Sequence, residues 1–167
     1  MSFSMLSDRV HRCVTVTESR LSLEEYSAAT VRILLVDDHE PFRRFVASVL
    51  DKKPNLSVVG EVGDGFEALR QAEALQPDLI LLDIGLPGLN GLDAARRMGE
   101  LAPNARIIFL TLESSPDVVH QALSLGAWGY VAKLHAGKEL LVAVEMVMQG
   151  KHFVGSGLDG HKDPNTA

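Results

Sequence analysis

The chain is poor in cysteine. Cys13 stands alone among 167 residues, so no internal disulfide can form. That suits a reducing compartment. Aromatic residues supply only 5% of the chain, so any core must be mainly aliphatic. Positive charge is in deficit, with a net charge of −6 at pH 7, which argues against a general nucleic-acid surface. No run approaches the roughly 20 apolar residues that a membrane helix needs. Residues 1–30 carry Arg9, Arg12 and Arg20 without a continuous apolar run, so no secretory leader is expected. Cytoplasmic is the default localisation. Neither G-x-x-x-x-G-K-[ST] nor G-x-G-x-x-G occurs, which weakens a nucleotide-binding reading. No Cys/His cluster points to zinc.

What is present is regular. The chain is 46% hydrophobic, enough for one good core and one domain. From residue 31 onward, short apolar runs recur: "VRILLV" (31–36), "LSVVGEV" (56–62), "DLILLD" (78–83), "ARIIFLT" (105–111) and "WGYVAK" (128–133). They are continuous rather than alternating, as in strands covered on both faces of a parallel sheet. Helical spacing fills the intervals. Phe42, Phe45, Val46, Val49 and Leu50 share one face, with Pro41 suited to the first turn. Phe66, Leu69, Ala72 and Leu75 repeat the pattern, as do Leu92, Ala95, Met98 and Leu101 or a neighbouring face. Ser115, Pro116 and Gly126 punctuate a fourth helix, and "GKELLVAVEMVMQG" makes a fifth. Five strand–helix units predict an α/β fold: a doubly wound, five-stranded parallel sheet with helices on both faces.

Such sheets bind ligands beyond the carboxyl ends of their strands. Asp37 and Asp38 follow the first strand, Asp83 ends the third, Thr111 the fourth and Lys133 the fifth. Three carboxylates brought together call for a hard cation, and Mg2+ prefers such oxygen ligands. Asp38 and Asp83 would be direct ligands, and Asp37 direct or through water. A carboxylate nucleophile, a metal, an ammonium and a hydroxyl suit the formation of an acyl phosphate on Asp83. Each residue alone has a plainer reading. Asp37 or Asp38 could cap a helix, Thr111 could be an ordinary strand residue, and Lys133 a solvated charge. His39 reads as a cap-region residue. Their joint placement at strand ends favours the site.

The segments "LLVDDHEPFRR", "LILLDIGLPGLNGLD", "IIFLT" and "GAWGYVAK" together resemble the receiver domain of two-component response regulators, over about residues 31–152. The resemblance implies a flavodoxin-like topology. It implies Asp83 as phospho-acceptor, with Asp37, Asp38, Asp83 and the backbone carbonyl of Gly85 as Mg2+ ligands. Lys133 would pair with the phosphoryl group and Thr111 would hydrogen-bond it. Tyr130 matches an aromatic switch residue whose ring turns inward on phosphorylation, altering the surface of the fourth helix, fifth strand and fifth helix. A packed strand aromatic is the plainer reading of Tyr130. Three positions depart from the common pattern. Gly85 offers no side chain beside the acceptor, Leu112 is larger than usual, and Leu134 stands where proline is common.

The resemblance also implies a partner, a sensor histidine kinase or a phosphotransfer protein. The beginning and end resemble receivers that precede a helix-turn-helix output domain. Only "GSGLDGHKDPNTA" follows Val154, so residues 153–167 are expected to be a short polar tail without an output domain, and residues 1–30 a flexible extension. A stand-alone receiver, or a shortened relative of a DNA-binding regulator, is expected, with no direct nucleic-acid or membrane binding. On the last helix, Leu140, Leu141, Val144, Val147 and Met148 form one face, while Val142 and Met146 lie off it. A homodimer through that helix is a further expectation, with Trp128 on the same surface. The competing class is a Mg2+-dependent phosphatase using Asp83 as nucleophile. Such enzymes typically place a second acid two residues later, where this chain has Gly85. The expected role is therefore a signalling domain, whose only catalysis is its own phosphorylation and dephosphorylation.

Overall fold

The computed structural model describes residues 29–158. The expected extension over residues 1–28, and the tail beyond 158, lie outside them. Five strands appear where the apolar runs predict them: β1 (Val31–Val36), β2 (Leu56–Val62), β3 (Leu79–Leu82), β4 (Arg106–Thr111) and β5 (Gly129–Ala132). Helices alternate with them: α1 (Glu40–Leu50), α2 (Gly65–Leu75), α3 (Gly91–Leu101), α4 (Pro116–Ser124) and α5 (Ala136–Met148). A 3₁₀ turn, Lys133–His135, joins β5 to α5. Among the described residues, no helix is long and apolar enough to cross a membrane.

All strands are parallel, in the order β2-β1-β3-β4-β5-β6. The sixth strand, β6 (Phe153–Val154), corrects the expected count of five. At two residues it is too short to leave a periodic signal. Beyond residue 152 the chain stays in contact with β5. Phe153 N–H donates to the Trp128 carbonyl at 3.0 Å, Gly155 N–H donates to the Tyr130 carbonyl at 2.8 Å, and Leu158 is buried. The polar composition of this stretch hides two apolar anchors, Phe153 and Leu158.

The sheet divides the core in two, because strand side chains alternate faces. Leu34, Val36, Ile80, Leu82, Phe109 and Tyr130 point to the side covered by α2, α3 and α4. Ile33, Leu35, Leu79, Leu81, Ile108 and Val131 point to the side covered by α1 and α5. Two helix faces differ from the sequence pattern. On α2 the buried residues are Gly65, Ala68 and Ala72, and Phe66 is 58% exposed. On α3 they are Gly91, Ala94, Ala95 and Met98. Small residues face inward because these helices approach closely. A methyl group at Gly91 would stand 2.1 Å from the Asp83 carbonyl oxygen. On α1, Phe45 is likewise exposed, while Val46, Val49 and Leu50 are buried. On α5, Val142 is 49% exposed, in line with its place off the buried face. Trp128 is not part of an open apolar surface. Its ring is stacked on His152 at 4.7 Å, with the Arg106 guanidinium 4.7 Å from its centroid.

Candidate functional site

The strand register builds the site. Val36 pairs with Leu82 across β1 and β3, so the next residues, Asp37 and Asp83, emerge side by side. This is the point where the strand order reverses, the usual crevice of such a sheet. Thr111 pairs with Ala132 across β4 and β5, which brings Lys133 over from the far side. Backbone bonds fix the two acidic strand ends: Asp37 N–H to the Val62 carbonyl at 3.0 Å, and Asp83 N–H to the Val36 carbonyl at 2.9 Å. The loop after Asp83 is closed by Gly91 N–H donating to the Ile84 carbonyl at 2.9 Å. Asn90 then caps α3, its side chain accepting the Asp93 N–H at 3.0 Å.

Asp37, Asp38, Asp83, Gly85, Thr111 and Lys133 meet at this rim, whereas Tyr130 is buried within β5. Asp37, Asp38 and Asp83 each present a carboxylate oxygen, and these oxygens lie within 4.8 Å of one another. Asp37 and Asp83 are buried and Asp38 is exposed. Lys133 Nζ donates to Asp83 Oδ2 at 2.8 Å and stands 2.6 Å from Asp37 Oδ2. The ammonium thus bridges the two buried carboxylates. Three hard oxygens this close suit a hard divalent cation. The plain helix-cap reading of the acidic pair fails, because His39 holds the N-cap position of α1. Asp37 Oδ1 instead accepts the His39 N–H at 2.8 Å.

Around these groups runs an open cleft of about 730 Å³, lined by Asp38, Phe42, Asp83, Gly85, Thr111 and Lys133 among others. Gly85 N–H donates to Asp83 Oδ1 at 3.2 Å. Thr111 Oγ1 accepts the Glu113 N–H at 3.2 Å. Leu112 and Leu134, the two departures noted in the sequence, stand at the cleft 70% and 87% exposed. Neither covers Asp83 in the way a packed side chain would.

Burial opposes the charge on Lys133, but the carboxylates of Asp37 and Asp83 outweigh it and hold its ammonium above the usual lysine range. Tyr130 is completely buried, and its hydroxyl donates to the Glu113 carbonyl at 2.5 Å. Burial, then the negative charges of Glu113 and Asp83, push its phenol well above the ordinary value. The ring thus lies inward, packed near Phe109 with centroids 6.2 Å apart. This is the packed strand aromatic that the sequence also allowed. Glu113 is held below the usual carboxylate range, chiefly by the Ser115 N–H.

Three contributors carried no assigned role in the sequence reading. Phe42 places its ring 4.8 Å from Lys133 Nζ, a cation–π contact. Arg43 donates to the Asp37 carbonyl at 2.6 Å. Glu113 supplies the acceptor for Tyr130. The first two lie inside "LLVDDHEPFRR", so helical spacing could have found them. Glu113 acts through its backbone, which leaves no signal in its side-chain chemistry.

The family model of the response regulator receiver domain matches residues 33–145. The chain is 36% identical over 126 residues to the nitrate/nitrite response regulator protein NarL of Escherichia coli, covering 75% of this chain and 58% of that protein. It is 40% identical over 124 residues to the DNA-binding transcriptional activator DevR/DosR of Mycobacterium tuberculosis, covering 74% and 57%. It therefore spans a little over half the length of these relatives. A LuxR-family two-component response regulator from Aurantimonas superposes with a TM-score of 0.74 at 32% identity, over 78% of this chain and 93% of that one. The response regulator domain of Thermotoga maritima CheB gives 0.67 at 31% identity, over 72% and 97%. With the acidic strand ends, the strand-end lysine and the reversal of strand order all in the expected places, this chain belongs to the receiver family of two-component response regulators.

Proposed function

We propose that Asp83 accepts a phosphoryl group from a histidine kinase or a phosphotransfer protein, and that the resulting acyl phosphate biases the surface formed by α4, β5 and α5. The observation that carries this reading is the buried Asp83 carboxylate, paired with Lys133 at 2.8 Å and opening onto the cleft. A carboxylate oxygen of Asp83 attacks the donor phosphorus. The phosphorus–nitrogen bond of the donor histidine breaks, and the leaving imidazole nitrogen retains the electron pair. Lys133, released from its pairing with Asp83, would follow the new charge onto a phosphoryl oxygen, and the Thr111 hydroxyl would donate to another. Asp37, Asp38, Asp83 and the Gly85 carbonyl would hold Mg2+. When bound, the ion neutralises charge on the phosphoryl oxygens during transfer.

The test is to incubate the chain with acetyl phosphate or phosphoramidate and Mg2+ and to weigh it intact. The expected result is a gain of one phosphoryl group that vanishes in Asp83→Asn. No gain from any donor would refute the acceptor reading. Sustained turnover of unrelated phosphoesters would instead favour a hydrolase. The exposed Val142 supports a second proposal, a homodimer through α5. Light scattering with beryllofluoride and Mg2+ should then show a doubled mass that Val142→Glu abolishes.

A further inference from the structure

The segment after α5 does more than trail from the domain. Phe153 and Val154 cover the β5 edge, which would otherwise expose unpaired backbone groups. Gly155 N–H donates to the carbonyl of Tyr130 itself, at 2.8 Å. Gly155 is buried. A methyl group there would stand 2.4 Å from Glu139 Oε2, which would have to swing away, and 3.3 Å from the Tyr130 carbonyl oxygen. Glu139 on α5 then holds the next residue. Its Oε1 accepts the Ser156 N–H at 3.1 Å and also the Ser156 hydroxyl. Gly157 takes a positive φ of 83°, and Leu158 turns into the apolar cluster that contains Tyr130, Phe109 and Val119.

On the other side of its ring, Tyr130 is tied to the acceptor cleft. Its hydroxyl donates to Glu113, and Glu113 N–H donates to Thr111. We infer that residues Phe153–Leu158 form a clasp on β5 that holds the Tyr130 ring buried, so that this segment and the acceptor cleft share one conformational equilibrium. The clasp goes beyond the acceptor reading and does not depend on phosphorylation of Asp83. Its grip is a two-residue strand, one carboxylate and two apolar anchors, Phe153 and Leu158. A grip that small opens more readily than the sheet it rests on. Coupling between two sites is reciprocal, so loosening the clasp loosens Tyr130, and displacing Tyr130 loosens the clasp.

The experiment uses the full chain labelled with 3-fluorotyrosine in a Tyr26→Phe background, which leaves Tyr130 as the one fluorinated ring. Fluorine NMR reads the ring, and amide hydrogen exchange reads Gly155. Leu158→Ser and Glu139→Ala should each speed exchange at Gly155 by roughly tenfold or more, as expected for a lost local contact. Both should also move the Tyr130 resonance toward its unfolded position, with helical circular dichroism unchanged. Tyr130→Ala should speed Gly155 exchange in turn. An unmoved Tyr130 resonance while Gly155 exchange rises would overturn the coupling. So would unchanged Gly155 exchange in both clasp variants. Should Leu158→Ser unfold, Glu139→Ala decides, since Glu139 lies on the part-exposed side of α5.

Discussion

Lys133 sits between two buried carboxylates, 2.6 Å from Asp37 and 2.8 Å from Asp83. Its side chain is itself only 10% exposed. Removing one partner from a buried charge group leaves the others uncompensated, at a cost of about 3 kcal/mol. Lys133→Met should therefore lower stability by about that amount in urea unfolding at neutral pH. Added Mg2+ should restore more stability in the variant than in the parent. Lys133 and Tyr130 also make a joint statement about pH. Both have folded-state pKa values raised above the ordinary 10.5 and 10.0. Above those values the folded state binds more protons than the unfolded chain, so stability falls as pH rises. The urea midpoint should hold steady up to about the ordinary tyrosine value and decline beyond it. Tyr130→Phe should make that decline shallower, since its phenol no longer has to stay neutral. Asp83, Asp37, Asp38, Thr111 and Lys133 were legible in the sequence because each is polar at the end of an apolar run. The partner of the Tyr130 hydroxyl was not legible, since it is a backbone carbonyl.

Elements hold these side chains in place, and α3 shows how. Its start fixes the loop that follows Asp83. The Asn90 side chain caps the helix, and Gly91 packs directly against the Asp83 carbonyl. Asn90→Ala should cost about 1 kcal/mol of stability, the usual worth of such a cap. Gly91→Ala should be worse than its helix propensity suggests. The added methyl would meet backbone rather than a side chain that can yield, and it would push the loop away from Asp83. Its phosphorylation yield with acetyl phosphate should fall well below that of Asn90→Ala at equal folded fraction. The positions of all five helices were legible from the sequence, as were Ala72, Ala95 and Met98 on the inward faces of α2 and α3, but the small residues beside them were not. Periodicity weighs large apolar residues, whereas close packing also selected Gly65, Ala68, Gly91 and Ala94. Phe66 was thereby displaced to the surface.

At the scale of the whole molecule, the sheet separates two cores that touch mainly through its backbone. Met98 on α3 belongs to one and Val147 on α5 to the other, both buried. Met98→Ala should cost about 2–5 kcal/mol, and Val147→Ala somewhat less. Residues that share no partners contribute independently, so the double variant should equal the sum within about 0.5 kcal/mol in urea unfolding. The parallel architecture was legible because strands covered on both faces read as continuous apolar runs. The sixth strand was not, since two residues carry no period and their role depends on the β5 edge being free. The lone tryptophan gives this layout a practical use. Trp128 lies just ahead of β5 between Arg106 and His152, while Lys133 and Asp83 lie beyond the strand's other end. Its emission should be blind to chemistry confined to the cleft. Any change in that emission on phosphorylation would mean that the signal had travelled the full length of β5, measured by a light source the chain already carries.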